Sequence, residues 1–172
     1  MRGTPTNPNS TNPRVSIIGL GNVLLGDDGF GCLAVEVFRC EYACGPGVEI
    51  IDLGTPGLDL ATYLYGRDLV IIVDAVMTGA SPGTVYVWDS SLPGSGLPHV
   101  AGDAAVSSHG FDIAKAIELG RALGKFPARL RVYGIEGQQF ERGARISPAV
   151  LAAIDSVVTQ VSAEIPLPST TR

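Results

Sequence analysis

The chain has 172 residues, 45% of them hydrophobic and 17% charged, with a formal net charge of −5 at pH 7. This length suits one domain with a proper core. The acidic balance excludes a nucleic-acid surface, since no basic stripe is available to meet phosphates, and it fits a basic or cationic partner.

Residues 1–14 (MRGTPTNPNSTNPR) contain no apolar stretch, so neither a signal peptide nor a membrane span is expected there. Their Pro, Asn, Thr and Ser content reads as a disordered arm, residues 15–165 as a single α/β domain, and 166–172 as a flexible tail. The cysteines are Cys32, Cys40 and Cys44. An odd number without a secretory signal points to reduced thiols and a cytoplasmic protein. Cys32 and Cys40 fall in an apolar helical pattern and are expected to be small buried hydrophobes. Cys40 and Cys44 lack the second half of a zinc site.

Residues 15–18 read as a first strand. Phe30, Leu33, Ala34, Val37 and Phe38 recur at helical spacing and predict a helix of about three turns. Residues 48–51 form a second strand that stops at Asp52, and 58–65 a short helix. The continuous apolar run at 69–73 (LVIIV) suits a central strand buried on both faces and ends at Asp74. Residues 83–88 alternate like a more exposed strand. The Gly-, Pro- and Ser-rich stretch 93–108 reads as a long loop, which in a compact domain points to function. A helix follows, with Ile113, Ala116 and Ile117 on one face, Ser107 or Ser108 as its cap, and Gly124 with Pro127 as its stop. Residues 130–135 are a further strand. Ser147-Pro148 starts a last helix, buried through Ile154, Val157, Val158 and Val161.

Strands alternating with helices predict an α/β three-layer sandwich: a mainly parallel, mixed sheet of about five strands with helices on both faces. Sites in such sheets form beyond the carboxyl ends of the strands. The first strand runs into the loop carrying Asp27 and Asp28, the second stops at Asp52, and the third at Asp74. The acids therefore gather at one edge.

Gly19-Leu20-Gly21 after a strand has the start of a dinucleotide fingerprint, but Leu24 stands at the third glycine position and two acids that repel phosphate follow. No G-x-S-x-G elbow and no H-E-x-x-H is present. With only two histidines, a three-His zinc site is impossible. His99 lies in the long loop, where a solvated role is the default. His109 lies where that loop meets the next helix. Asp28, Asp74 and His109 together make a two-carboxylate, one-imidazole set able to hold a divalent cation with positions left open. Each has a plainer reading: Asp28 as a helix N-cap, Asp74 as a strand-end turn residue, and His109 as a cap or packing residue. Asp27 and Asp28 cannot both be the cap. Asp52 with Gly54, Thr55, Pro56 and Gly57 is most simply a turn. Glu136 reads as an accessory acid or a surface residue.

The segments GLGNVLLGDDGFG, DLGTPGLDL, LVIIVDAV, SSHGFDIAKAI and VYGIEG, in this order and spacing, resemble the [NiFe]-hydrogenase maturation endopeptidases over residues 15–161. The resemblance implies a twisted, mainly parallel sheet between helices. It also implies removal of a C-terminal extension from the precursor of the hydrogenase large subunit after nickel insertion. By motif match it makes Asp28, Asp74 and His109 the metal-contacting residues. Family members carry Glu or Asp at the first of these positions. On this reading the substrate supplies the nickel and the free enzyme holds no tightly bound metal. Asp28 or Asp74 serves in catalysis, and the turn with Asp52, Gly54, Thr55 and Gly57 grips the substrate. No nucleic acid and no membrane is expected as partner. The rival classes are a free-standing metallohydrolase with permanently bound metal and a non-catalytic nickel or precursor chaperone.

Overall fold

The computed structural model describes residues 14–42, 44–57, 59–90 and 110–165. Residues 1–13 of the proposed arm, the tail, the 93–108 loop with its Ser107 and Ser108 cap candidates, His99 and His109 lie outside the described residues. Five strands, β1 (Val15–Leu20), β2 (Val48–Gly54), β3 (Leu69–Val76), β4 (Val85–Asp89) and β5 (Arg129–Glu136), form one sheet in the order β2-β1-β3-β5-β4. The first four in that order are parallel, and β4 lies antiparallel on the β5 edge. The helices are α1 (Phe30–Glu41), α2 (Leu60–Leu64), α3 (Gly110–Ala122), α4 (Pro148–Leu151) and α5 (Ile154–Glu164).

Two cores explain the three layers. On one face Ile17, Ile71, Val73 and Ile135 pack against Phe30, Ala34, Val35 and Phe38 of α1 and Val157, Val158 and Val161 of α5. On the other, Ile18, Leu20, Ile72 and Val132 pack against Leu60 and Leu64 of α2 and Ile113, Ala116 and Ile117 of α3. Every residue of β3 is buried, as a central strand covered on both faces requires.

Several elements differ from the sequence expectation. β3 does not end before Asp74 but continues through it to Val76, because Asp74 pairs with Gly134 in the parallel ladder to β5. β2 likewise runs past Asp52, with an irregularity where Leu20 comes to face Gly54. The last helix is two pieces separated at Ala152 and Ala153. Cys40 is exposed rather than buried, while Cys32 follows the expectation. Cys40 lies between Phe38 and Tyr42, which pack on the core, so at helical spacing it falls on the outer face of α1 with Arg39 and Glu41.

α1 approaches the sheet unusually closely. A Cβ on Gly31 would stand 2.2 Å from the Val73 carbonyl oxygen and 2.3 Å from that of Leu20. Glycine there lets the helix start rest on the backbones of β1 and β3, and so sets where the preceding loop can lie.

Candidate active site

The strand order places β1 between β2 and β3. Chain connections leave β1 toward β2 and return to β3, so the crevice between the carboxyl ends of β1 and β3 is the switch point where α/β sheets bind ligands. The residues after β1 fold into a turn at 22–25 and a 3-10 turn, Gly26–Gly29, packed against β3. Asp28 on this turn and Asp74 on β3 flank the crevice, and each is only 1% exposed.

Asp28 is not the cap of α1; that position is Gly29. Its Oδ2 accepts a hydrogen bond from the Asn22 N–H at 2.8 Å. The Asn22 side chain in turn accepts from the Leu24 N–H at 3.0 Å. Gly21 makes this possible. Its φ of +134° is glycine territory, and a Cβ there would lie 1.7 Å from the Asp28 carbonyl oxygen. Asp74 Oδ1 accepts from the Ala75 N–H at 2.9 Å.

Asp27 has a different job. It is fully buried and, like Asp28, is not the cap of α1. Its carboxylate accepts hydrogen bonds from the N–H groups of Gln138 (2.9 Å), Gln139 (3.1 Å) and Ser147, and from the Ser147 hydroxyl. Its own N–H donates to the Gln139 carbonyl. Asp27 therefore fastens the segment between β5 and α4 to the loop that carries Asp28. Ser147, expected as a side-chain helix cap, makes no side-chain cap bond and spends its hydroxyl on Asp27.

Glu136 is no surface residue either, being 1% exposed. Its carboxylate takes the N–H groups of Thr78 and Gly79, both at 2.8 Å, and the Thr78 hydroxyl at 2.7 Å. It thus holds the turn that follows Asp74 and Val76.

At the end of β2, Asp52 is exposed and accepts from the Gly54 N–H at 3.2 Å, the turn its sequence suggests. Gly54 has φ +61°, and its carbonyl accepts from the Gly21 N–H at 2.9 Å, which ties this turn to the β1 exit. Thr55 and Gly57 are exposed beyond it. Cys32 sits beneath both loops. Its thiol donates to the Gly21 carbonyl at 3.4 Å. Burial, then the hydrogen bond and charge of Asp52 and the charge of Asp28, push that thiol up to about 12. The thiol stays protonated and serves as a tether rather than a nucleophile.

The structure thus brings Asp28 and Asp74 to one crevice, joins Asp52 and Gly54 to its rim, and assigns Asp27 and Glu136 to holding loops. Sequence reasoning missed these two anchoring carboxylates, because their donors lie more than fifty residues away, and the Cys32 tether, because its Gly21 acceptor sits on a different element. The one signal for Asp27 was its redundancy beside Asp28. The loops after β1, β2 and β3 (residues 21–29, 55–59 and 77–84) contain no Lys or Arg. The loop after β5, whose Gly143 N–H bonds the Leu24 carbonyl, carries Arg142 and Arg145, while the carboxylate oxygens of Asp28 and Asp74 are of the donor type that suits a cation.

Fold and site together define an α/β protein with a carboxylate pair at its switch point. The profile of the hydrogenase maturation protease family matches residues 32–164, and the chain belongs to that family. It is 33% identical over 159 residues to the hydrogenase expression/formation protein HupD of Bradyrhizobium diazoefficiens, covering 90% of this chain and 81% of that one. It is 31% identical over 154 residues to the hydrogenase 2 maturation protease of Escherichia coli K12, covering 88% and 90%. The solved structure of the hydrogenase maturating endopeptidase HybD from E. coli superposes with a TM-score of 0.77 at 30% identity, over 87% of this chain and 90% of that one.

Proposed function

We propose that this chain is an endopeptidase that removes the C-terminal extension of a [NiFe]-hydrogenase large-subunit precursor after nickel insertion. The nickel is carried by the substrate, and Asp28, Asp74 and His109 are the residues that meet it. The observation that carries this reading is the placing of Asp28 and Asp74, both buried, on either side of the β1/β3 crevice. Family membership supplies the reaction class.

Carboxylates facing a divalent ion repay their burial once the ion's charge arrives. The substrate's nickel supplies Lewis acidity, either at the scissile carbonyl or at a water molecule. Asp28 and Asp74 hold that charge close to the bond to be cut, and one of them accepts the proton of the attacking water. Cleavage then depends on the metal having been inserted, which makes processing a checkpoint. Asp52, Gly54, Thr55 and Gly57 form the rim on the β2 side and take the substrate's C-terminal segment. The cytoplasm is the place of action, where Cys32, Cys40 and Cys44, all unpaired, remain reduced. Among the described residues no helix is long and apolar enough to cross a membrane.

The test compares purified protein acting on nickel-loaded and nickel-free precursor, read by the mass of the large subunit. Shortening of the loaded form alone is expected. Equal rates on both forms overturn the checkpoint. Metal analysis of the purified protein should find no stoichiometric nickel or zinc.

A further inference from the structure

Most basic side chains among the described residues are already engaged. Arg14, Arg39, Arg67, Arg129 and Arg131 are ion-paired. Arg121 lies over the Phe126 ring and Lys125 over the Tyr65 ring, and Lys115 has a partner too. Arg142 and Arg145 are the exceptions. Both are exposed, and neither has an ion pair or a ring contact among the described residues, although Glu141 is exposed beside Arg142. Both lie on the loop between β5 and α4.

A solvated arginine is ordinary by itself. The loop that carries these two is not, because it is fastened to the turn of Asp28 at several points. The buried Asp27 carboxylate takes the N–H groups of Gln138, Gln139 and Ser147. The Gly143 N–H donates to the Leu24 carbonyl at 2.8 Å. A Cβ on Gly26 would stand 2.5 Å from the Gln139 carbonyl oxygen, so glycine there lets the two segments touch. The Gln139 side chain donates to the Arg145 carbonyl. Arg142 and Gly143 are the central residues of a turn closed by the Ala144 N–H on the Glu141 carbonyl at 3.1 Å, and Gly143 has the φ of +82° that a type II turn requires. Two guanidinium groups are thus presented on a fixed backbone, so binding through them costs no ordering of the loop.

We propose that Arg142 and Arg145 recognise a carboxylate of the precursor's C-terminal extension as that segment lies over the Asp28 turn. This rests on the processing function proposed above. The chemistry of the occupant follows from charge. A guanidinium fork meets a carboxylate through two parallel hydrogen bonds, which lysine cannot copy. The chain carries a net charge of −5, and Asp28, Asp52 and Asp74 stand at the ends of β1, β2 and β3. An anionic group is repelled from those ends and directed to the loop of Arg142 and Arg145. Exposed charges of this kind fix register and speed encounter, and they leave the chemical step alone.

The experiment measures Kd for nickel-loaded precursor, with kcat and KM for its shortening, at low and high salt. Wild type is compared with Arg142→Glu/Arg145→Glu, with Arg142→Lys/Arg145→Lys, and with Arg121→Glu/Lys125→Glu, which makes the same change of net charge at the far end of α3. The first variant should raise Kd and KM about tenfold at low salt and lose most of the salt dependence seen in wild type, with kcat and melting temperature near wild type. The Lys variant should fall between the two, and the α3 variant should bind as wild type does. Two altered precursors identify the carboxylate: one with the acidic side chains of the extension neutralised, one with its terminal carboxylate amidated. The precursor that has lost the recognised group should bind wild type and the Glu variant equally. Unchanged Kd and KM in Arg142→Glu/Arg145→Glu overturn the pair, and so does an equal loss in the α3 variant, which would reduce the effect to net charge. A difference between wild type and the Glu variant that survives with both altered precursors overturns the carboxylate. If wild type binds loaded precursor through the pair yet leaves it unshortened, the processing function falls and the recognition pair stands.

Discussion

The two edges of the sheet handle charge in opposite ways. At the amino edge, acids meet cations. Arg131 reaches Asp89 at 3.0 Å and Glu164 at 2.9 Å, and Arg129 reaches the same two at 3.5 and 3.2 Å. The Tyr133 hydroxyl donates to Glu164. Arg67 pairs with Glu49 and Arg14 with Asp68. At the carboxyl edge, Asp27 and Glu136 are satisfied by backbone N–H groups and hydroxyls, and Asp28 and Asp74 each accept a backbone N–H. The first arrangement neutralises charge and ties β4, β5 and α5 together. The second holds Asp27 and Glu136 through backbone N–H groups and hydroxyls, which fix the loops at the carboxyl ends of the strands. One edge is built for stability and the other for function.

Substitutions can break that division, the largest effect coming from the crevice. Asp74→Asn keeps the acceptor for the Ala75 N–H but removes the charge. It should lower processing by about three orders of magnitude or more, as loss of a catalytic group does, with stability within about 1 kcal/mol of wild type. A large loss in urea denaturation with processing retained would make Asp74 merely structural. Gly31→Ala, whose methyl would overlap two backbone carbonyls, should cost about 3 kcal/mol in the same denaturation.

Asp27→Asn turns part of an acceptor surrounded by donors into a donor. It should cost about 2 kcal/mol and reduce kcat more than it raises KM, because Asp28 shifts with its loop. Steady-state kinetics on loaded precursor separate the two constants. At the opposite edge, Arg131→Ala should cost about 1–2 kcal/mol, the lower range reflecting its partial exposure, and leave processing rates unchanged. A fall in kcat there would mean that the two edges are coupled.

The smallest effect concerns pH. Cys32 is pushed up to about 12 chiefly by burial, and Tyr133 also to about 12 by burial and then Glu164. An unfolded thiol loses its proton near 8.5 and an unfolded tyrosine near 10. Both raised values therefore stabilise the fold fully below the unfolded values, and that stability is lost as pH rises toward 12. The melting temperature should fall progressively above about pH 8.5. Cys32→Ser should flatten the first part of that fall.

Much of the architecture was readable in the chain because it depends on local pattern. The run LVIIV predicted a doubly covered strand, helical spacing predicted the buried face of α1, and alternation of the two element types predicted a mainly parallel sheet. Asp52 and Asp74 at strand ends, with Asp28 after the first loop, already indicated an acidic edge. Two neighbouring aspartates, however, look identical in sequence. Only the folded chain separates them, because Asp27 finds its donors at Gln138, Gln139 and Ser147, more than a hundred residues away, while Asp28 turns to Asn22 in its own loop. Glu136 was equally unreadable, since its partners follow a different strand. Periodicity reports which face a residue takes, whereas hydrogen-bond partners are set by which loops meet at the end of the sheet. The sequence by itself determined the sheet, its helices and the acids along one edge. The tertiary structure decided which of those acids hold the loops in place and which are left facing the crevice, because long-range backbone donors are brought to them only when the strands assemble in the order β2-β1-β3-β5-β4.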